Sequence, residues 1–265
     1  MRRGWYLPVG VLALLSGPVL AASTAAAAAA APVPGARPAT AQPGGPQVQP
    51  GGLARPPGVR NAASVNWSGY AVHGGTYKSV SASWTEPTGH CTASGHSRAA
   101  SFWVGLDGYS LSDRSVEQTG TDTDCNGATP KYYAWYEMYP AGSHLISHPV
   151  RPGDKLSASV VAGGGGRFTL TLADHTRGWT ATEHRTLSSA KRASAEVIIE
   201  APSSVGILPL ADFGTVHFTG STVDGSSIGS RHPTKITMVG SHNVHLDKIS
   251  GLSNGTAFSG TWLHG

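Results

Sequence analysis

The sequence predicts an all-β domain, built as a sandwich or a barrel of short antiparallel strands. Apolar and polar residues alternate with a period of two in residues 80–85, 156–160 and 168–172, as in strands that bury one face. Turn signals such as Asp107-Gly108 and Asp224-Gly225 occur between strand-like segments. Charged residues make up only 13% of the chain, which argues against helical bundles and coiled coils because their helices need charged outer faces.

Residues 1–22 are predicted to be a secretory signal peptide. Arg2 and Arg3 precede an apolar stretch in residues 5–20, and two alanines after it form a small-residue cleavage site. A transmembrane anchor is the alternative interpretation. Two prolines interrupt the stretch and no basic stop-transfer cluster follows it, so the pattern favours a signal peptide and a secreted, extracellular protein. No later apolar run is long enough to span a membrane, so no membrane contact is expected after signal removal.

Residues 23–60 form a tract rich in alanine, proline and glycine, which cannot bury enough apolar surface to fold alone. Composition leaves two interpretations open, a flexible linker and a propeptide that is removed on maturation. The basic character of the chain lies here and in the signal, because residues 1–60 contain five arginines and no acidic residue. The remaining 14 Lys and Arg are scattered and nearly balanced by 15 Asp and Glu. We therefore expect no nucleic-acid partner.

Residues 61–265 are predicted to form the folded domain, and this length suits a single sandwich or barrel. The segment has no long stretch of helical periodicity, and residues 188–195 would form at most a short turn of helix. Besides the three alternating segments, strands are expected in residues 65–72, 101–106, 132–139, 195–200, 216–219, 235–239 and 257–263.

Cys91 and Cys125 are the only cysteines, and both follow the signal. An even number of cysteines in a secreted chain indicates a disulfide. A bridge between them would close a loop of about thirty residues, which stabilises the fold by roughly 3–4 kcal/mol in the chain-entropy model. A zinc site with two cysteines is the weaker alternative, because no ligand pair has the spacing of a zinc finger.

The common signatures of hydrolytic or metal-dependent sites are absent from the sequence. It contains no G-x-S-x-G, no H-E-x-x-H and no phosphate-binding loop. His242 and His245 have an H-x-x-H spacing, but on a strand or loop this spacing does not make one metal-binding face. Surface histidines are therefore the simpler interpretation, and no metal ion or cofactor is expected. A Ser/His/Asp triad stays open, because its members need not be close in sequence.

Carboxylates occur inside two strongly apolar or aromatic segments. In a strand formed by residues 132–139, Trp135 and Glu137 point to one face together with two tyrosines. This carboxylate is either a solvent-facing neighbour or part of a substrate cleft. In residues 195–200, Glu196 and Glu200 share a face, and alternation alone favours an amphipathic strand whose glutamates face water.

Five motifs in order carry a resemblance to a known family. They are NWSGYA (66–71), FWVGLDG (102–108), QTG (118–120), YYAWYEMYP (132–140) and AEVIIE (195–200). Together they resemble the glutamic peptidases, the eqolisin family of secreted acid endopeptidases. The resemblance implies a lectin-like, concanavalin-type sandwich of two packed antiparallel sheets, with a Gln–Glu catalytic dyad on the concave sheet. It also implies a prosegment, so residues 23–60 become an expected propeptide that inhibits its own peptidase domain.

The resemblance assigns roles to individual residues. Gln118 of the QTG motif matches the catalytic glutamine, and Glu200 matches the catalytic glutamate at the end of its strand. Glu196 is the competing candidate, because it shares a face with Glu200. The chain departs from the family pattern at Val197, where the family has tryptophan, and this change affects the expected substrate contacts more than the dyad.

Four more residues match the lining of the family's active-site cleft and are expected to contact a polypeptide substrate. They are Trp103, Asp107, Trp135 and Glu137. The chemistry agrees with these residue types. A carboxylate can take a proton from water and return it to the leaving nitrogen, and an amide offers both an acceptor for the water and a donor for the oxyanion. A monomer is expected by default.

Three other functions stay open on the sequence. Trp103 and Trp135 could stack sugars in a carbohydrate-binding module, since a fold alone does not decide a function. Glu137 and Glu200 could be the paired carboxylates of a glycoside hydrolase. The chain could also be a secreted structural domain with degenerate motifs. The QTG segment has no role in a carbohydrate-binding module or a glycoside hydrolase. The presence of both Gln118 and Glu200 weighs against a structural domain with degenerate motifs.

Overall fold

The computed structural model describes residues 60–93, 96–110, 113–204 and 206–265. The predicted signal peptide, residues 1–22, and residues 23–59 of the expected propeptide lie outside the described residues. The first strand begins at Arg60, one residue before the predicted start of the domain. Within the described part the chain forms sixteen strands and three short 3-10 turns, and none of these turns has the length or apolar character of a membrane-spanning helix.

The strands form two eight-stranded layers, and we number them along the chain. Their bounds are β1 (Arg60–Ser64), β2 (Trp67–His73), β3 (Ser79–Thr85), β4 (Arg98–Leu106), β5 (Val116–Cys125), β6 (Pro130–Tyr139), β7 (His144–Ile146), β8 (Lys155–Ala162), β9 (Arg167–Asp174), β10 (Trp179–Thr186), β11 (Ser194–Glu200), β12 (Thr215–Val223), β13 (Ser226–Ser227), β14 (Thr234–Met238), β15 (Asp247–Ile249) and β16 (Phe258–Trp262).

One layer, here named the front sheet, has the order β1-β14-β2-β11-β4-β5-β6-β7. The other layer, the back sheet, has the order β10-β9-β8-β3-β12-β16-β15, with β13 paired to β12. Only β1 and β14 pair in parallel among the named strands. The predicted all-β sandwich of two antiparallel sheets is therefore confirmed.

Two apolar clusters lie on opposite faces of the front sheet. The larger cluster fills the space between the sheets and takes residues from both, including Phe102, Val197, Leu170 and Phe218. The smaller cluster takes its buried residues from the front sheet alone, so it lies on the outer face, turned away from the back sheet. Its members are Ala62, Trp67, Ala71, Trp103, Val116, Trp135, Ile198 and Ile236.

A disulfide joins Cys91 to Cys125, with a Cα–Cα distance of 5.4 Å. Cys125 is the last residue of β5, and Cys91 lies in the segment that connects β3 of the back sheet to β4 of the front sheet. The bridge therefore fixes the end of a central front-sheet strand to the crossover between the two sheets. This pairing confirms the predicted disulfide and excludes the alternative zinc site with two free thiolates.

The strands that sequence alternation predicted are present, but six were missed, among them the two-residue strand β13. Strand β5, VEQTGTDTDC, shows no apolar alternation because most of its polar residues are buried and meet partners on other strands. Strand β10 is an edge strand with every second residue exposed, and β1, β7 and β15 are three to five residues long. Residues 188–189 form a turn and no helix.

Candidate active site

Strand register brings the predicted site residues together on the outer face of the front sheet. Residues paired across neighbouring strands project to the same face. Three successive rows of paired residues run across β2, β11, β4, β5 and β6. They are Ala71-Glu196-Gly105-Gln118-Glu137, Gly69-Ile198-Trp103-Gly120-Trp135 and Trp67-Glu200-Ser101-Asp122-Tyr133.

Glycines at two positions in these rows make room for the functional side chains. A Cβ atom on Gly105 would lie 2.9 Å from the Trp103 ring and 3.1 Å from Gln118 Cβ. A Cβ atom on Gly120 would lie 2.6 Å from Trp103 Cβ. The two separations from Trp103 are shorter than real Cβ contacts and the one from Gln118 Cβ is tight, so the side chain of Trp103 is packed directly against bare backbone.

The Gln118 amide is oriented by the carboxyl group next to it. Gln118 Nε2 donates to Glu137 Oε2 at 2.6 Å, and both side chains are buried. Gln118 Oε1 and Glu137 Oε1 have no hydrogen-bond partner within the described part of the chain. Burial raises the pKa of Glu137 to about 8, although the donor from Gln118 lowers it. Glu137 therefore accepts a hydrogen bond while it remains protonated in weak acid.

Glu200 is held by donors from two other motifs. Trp103 Nε1 donates to Glu200 Oε2 at 2.9 Å, and Asn66 Nδ2 donates to Glu200 Oε1 at 3.1 Å. Burial raises the pKa of this carboxyl well above its ordinary value. The Trp67 and Trp103 indoles oppose the rise, and the nearby carboxyls of Glu137 and Asp122 add to it. The charge of Glu137 raises the pKa of Glu200. The Gln118–Glu137 pair and Glu200 with its two donors therefore influence each other electrostatically.

A sequence model of the peptidase A4 family matches residues 65–256, well over half of the chain. The chain belongs to the peptidase A4 family. The resemblance to the glutamic peptidases, or eqolisins, is thereby confirmed, and the chain is a glutamic endopeptidase by membership. The matched range contains all five motifs and every predicted site residue.

Solved structures of glutamic peptidases are similar to this A4 peptidase along nearly their whole length. Scytalido-glutamic peptidase with a transition-state analogue inhibitor is 29% identical with a TM-score of 0.66, over 75% of this chain and 98% of that one. SCP-B, an eqolisin in complex with the tripeptide Ala-Ile-His, is 28% identical with a TM-score of 0.61, over 75% and 98% of the two chains. Aspergilloglutamic peptidase from Aspergillus niger is 28% identical with a TM-score of 0.56, over 62% and 99%. Among curated proteins, none matches the chain.

Glu196 lies in the same buried face as Glu200 but in different surroundings. Neither of its carboxyl oxygens meets a well-formed hydrogen-bond donor in the described residues. Burial raises its pKa well above the ordinary value, the Ser194 hydroxyl lowers it, and the carboxyls of Asp107, Glu117 and Asp113 raise it further. In this A4 peptidase the oriented donors favour Glu200, whereas strand register places Glu196 in the row of Gln118 and Glu137.

Asp107 is tied to the backbone of a neighbouring loop. Its Oδ2 accepts from the amides of Lys191 and Arg192, its Oδ1 accepts from the amide of Ala193, and Ser115 Oγ donates to Oδ2 at 3.3 Å. Asp107 also has a φ of 69° at the end of β4, a left-handed conformation that aspartate tolerates. These contacts favour a role in anchoring the loop before β11 over the predicted contact with substrate.

The structure adds residues to which the motifs had assigned no role. Asn66 was present in the first motif without an assigned role, and its amide contacts Glu200 directly. Trp135 Nε1 donates to Asp122 Oδ1 at 2.7 Å, and burial raises the pKa of Asp122 well above its ordinary value, to which the neighbouring Asp124 contributes. In the sequence, Asn66 could have been found from its place in the first motif. Asp122 could have been found because it lies four residues after Gln118 and so shares its face of a strand.

The donor set of this site is made of amides, indoles and carboxyls, and the described residues contain no group of three or more His, Cys, Asp or Glu arranged to hold a metal ion. What the arrangement offers is a carboxyl group that can exchange a proton, an amide with an acceptor oxygen that lacks a protein partner, and apolar indoles around both. Such a set suits acid–base chemistry on a neutral polar substrate.

Proposed function

We propose that this A4 peptidase is secreted and hydrolyses internal peptide bonds of polypeptides in acid, with Glu200 and Gln118 as its catalytic dyad and without a metal ion or cofactor. The observation that carries the proposal is the Gln118 amide, which is oriented by Glu137 while its own oxygen lacks a partner in the described chain. Glu200 faces the same buried environment with two fixed donors.

In the proposed reaction, ionised Glu200 takes a proton from a water molecule as the water oxygen attacks the carbonyl carbon of the scissile bond. The Gln118 oxygen accepts a hydrogen bond from that water. The Gln118 amide nitrogen has two N–H groups, and since one is given to Glu137, the other is available for the oxyanion that forms on the carbonyl oxygen. Glu200 then gives its proton to the leaving nitrogen as the C–N bond breaks.

The proposed reaction depends on the access of solvent to Glu200, because solvent access changes the protonation state of this carboxyl group. A general base must be ionised, and burial holds the pKa of Glu200 well above its ordinary value. In the buried state the carboxyl is therefore protonated in acid and cannot take a proton from water. When water and substrate reach Glu200, the desolvation that raises its pKa is removed. Glu200 can then ionise and act as the base.

The segment before the domain, residues 23–60, is proposed to be an inhibitory propeptide, as the family resemblance implies. The side chains of Trp67, Gln118 and Glu200 are fully buried although they point away from the back sheet, so hydrolysis requires this face to become accessible to substrate.

The test is a digestion assay with the purified full-length chain, incubated with an unfolded protein substrate from pH 2 to pH 8. Amino-terminal sequencing follows the processing of the chain in parallel. We expect peptide release with a maximum below pH 6, appearing together with loss of the segment before Arg60 and insensitive to pepstatin and to chelators. Release of reducing sugar from glycans without peptide release would support the glycosidase reading instead. Glycan binding without any turnover would support a carbohydrate-binding module.

A further inference from the structure

The outer face of the back sheet is a nearly continuous layer of hydroxyl groups. Apolar residues of β3, β8, β9 and β12 point into the core between the sheets, so the alternate residues point outward. Outward positions on five neighbouring strands form the row Thr182-Thr171-Ser159-Ser81-Thr222. A second row is Thr180-Ala173-Ser157-Ser83-Thr219. Strands are about 4.8 Å apart, so each row is about 19 Å long, and every member except Ala173 carries a hydroxyl group.

Two shallow depressions interrupt this layer on either side of β12. One has a volume of about 190 Å³ and is lined mainly by hydroxyls, with Ser81, Ser83, Ser157, Ser159 and Thr171 among its residues. The other has a volume of about 150 Å³ and is lined by His217, three serines and Thr219, among others. Between them β12 carries Gly220 with a φ of 60° at an irregularity in its pairing with β3. The layer therefore offers recesses of the size of small polar groups.

Histidines border the layer, and a neighbouring hydroxyl orients each of them. His175 Nε2 lies 2.8 Å from Ser157 Oγ, His217 Nδ1 lies 2.8 Å from Ser259 Oγ, and His184 Nδ1 lies 3.2 Å from Thr169 Oγ1. All three histidines are exposed. In each ring the second nitrogen is not used by these bonds, so the imidazoles can present an N–H outward when they are protonated.

Charge on this face is of one sign. The exposed basic residues on or beside the layer are Lys78, Lys155, Arg167, His175, His184, His217 and Lys248. The acidic groups nearby are all engaged. Asp154 and Asp174 are buried beside Arg177, Asp224 accepts from the amides of Lys78 and Ser79, and Glu183 pairs with Arg185 on the inward side of β10.

We propose that the outer face of the back sheet is a docking surface for an acidic polysaccharide, bound in weakly acidic solution. Sugar hydroxyls would hydrogen-bond to the serine and threonine layer, and the carboxylates of uronic acid units would contact Lys155, His175 and His217 at its border. The surface is separate from the candidate active site, which lies on the opposite side of the sandwich. It would hold a secreted peptidase on a carbohydrate matrix while its active face stays accessible.

The composition of the face favours a polysaccharide over other polyanions. Stacking of nucleic-acid bases uses aromatic side chains, and the outward positions of the two hydroxyl rows contain none. Insertion into a lipid surface uses exposed apolar residues, and Val161 is the exposed apolar residue on this part of the sheet. A layer of hydroxyls with charges at its border matches a ligand that is itself rich in hydroxyls and carries spaced carboxylates.

The ligand and the protein define a pH window for binding. Carboxylic acids are ionised above about pH 4, and histidines carry a proton below about pH 6.5. Attraction between a polycarboxylate and protonated histidines is therefore greatest between these limits. Because the contacts are exposed, added salt weakens them.

The experiment measures binding of the full-length chain to polygalacturonate at pH 4.5 and pH 7.5, with dextran as the neutral polymer. We expect binding to polygalacturonate about fivefold tighter at pH 4.5, since two exposed histidine contacts of about 0.5 kcal/mol each amount to that factor. The triple variant Lys155→Ser, His175→Ser, His217→Ser should lose this preference. The matched control Lys131→Ser, His96→Ser, His245→Ser removes three exposed basic residues elsewhere and should keep it.

Three results would overturn the proposal. One is equal binding by the triple variant and its control, which would mean that net charge alone holds the polymer. Another is binding to duplex DNA or to anionic phosphatidylserine vesicles that is as tight and as sensitive to the triple variant. The third is no binding to polygalacturonate at pH 4.5. Peptide hydrolysis by the triple variant on a soluble substrate is measured separately, so failure of this proposal is distinguishable from failure of the proposed peptidase mechanism.

Discussion

Glu200 and Glu196 illustrate how the surroundings of a carboxyl group decide its chemistry. Both are fully buried on one face of β11. Glu200 receives N–H donors from Trp103 and Asn66, and donors of this kind stabilise the ionised form. Neighbouring carboxyls oppose ionisation of both, three beside Glu196 and those of Glu137 and Asp122 beside Glu200. The two N–H donors are therefore what favours Glu200 as the base in the proposed mechanism.

The Trp103 hydrogen bond should set the lower limit of the pH–activity profile. In Trp103→Phe, Glu200 loses a donor to its ionised form, worth about 1.5–3 kcal/mol, so its pKa should rise by about one to two units. We expect the acidic limb of kcat to move to higher pH by that amount. The matched variant Trp135→Phe removes the donor of Asp122 instead and should leave the limb in place. An unmoved limb in Trp103→Phe would contradict the role of Glu200 as the base.

Glu137 should act by positioning Gln118. In Glu137→Ala, Gln118 loses its buried acceptor and can rotate, and an unsatisfied buried donor costs about 1–3 kcal/mol. We expect kcat on a fluorogenic peptide to fall by about 10- to 100-fold, with a smaller change in KM. Glu137→Gln retains an acceptor oxygen and should recover most of the rate. A Glu137→Gln variant as impaired as Glu137→Ala would show that the acid itself, and not the orientation of the amide, is required.

Strand β5 is the element on which the site depends, because it carries Gln118, Gly120 and Asp122 on one face. Its other face carries Thr121 and Thr123, which donate to the buried Glu86 at 2.6 Å and 3.2 Å. Both faces are therefore polar and buried at once. This explains why alternation predicted strands such as β3, β8 and β9, which have one exposed face, and did not predict β5. The partners that make β5 a strand lie on other strands and cannot be seen in its own sequence.

Packing of Trp103 against bare backbone makes Gly120 a sensitive position. A Cβ atom there would lie 2.6 Å from Trp103 Cβ and 2.8 Å from Trp103 Cα. Gly120→Ala must separate β4 from β5, and overpacking of this kind costs about 1–3 kcal/mol. We expect a fall in Tm of about 3–10 °C, measured by circular dichroism, together with loss of activity. Gly251→Ala is the control, since a Cβ atom there meets nothing within 4 Å; equal Tm values for the two variants would refute the packing argument.

The molecule as a whole keeps its carboxyl groups out of water. Of the fifteen acidic residues after residue 60, eleven are buried and four are half-buried, namely Asp124, Glu183, Asp212 and Asp224. Burial raises the pKa of Glu86 to about 8, of Glu117 to about 9 and of Asp247 to about 7. The low charge of the chain does not indicate this burial, because burial depends on the packing of both sheets. The fold class, by contrast, followed from local alternation, and the site from five motifs that the sheet brings together.

These raised pKa values predict a protein that is most stable in acid. A carboxyl whose folded pKa exceeds its unfolded value binds its proton more tightly in the folded state, so its contribution is complete below about pH 4 and is lost as the pH rises to about 9. We expect the denaturant midpoint to fall continuously between pH 4 and pH 8. Glu86→Gln, which stays neutral while it keeps an acceptor for Thr121, should show a smaller fall. A midpoint that rises with pH would contradict the prediction.

The most direct test of the proposed dyad compares three variants in one assay. Peptide hydrolysis at the acid optimum is measured for Glu200→Gln, Glu196→Gln and Gln118→Ala, with circular dichroism to establish that each is folded. Removing one oxyanion donor costs about 10²- to 10³-fold in rate, and removing the base costs at least about 10²-fold. We predict losses of this size for Glu200→Gln and Gln118→Ala, with Glu196→Gln close to the wild-type rate. A folded Glu200→Gln variant that keeps its activity, or a Glu196→Gln variant that loses it, would contradict the assignment.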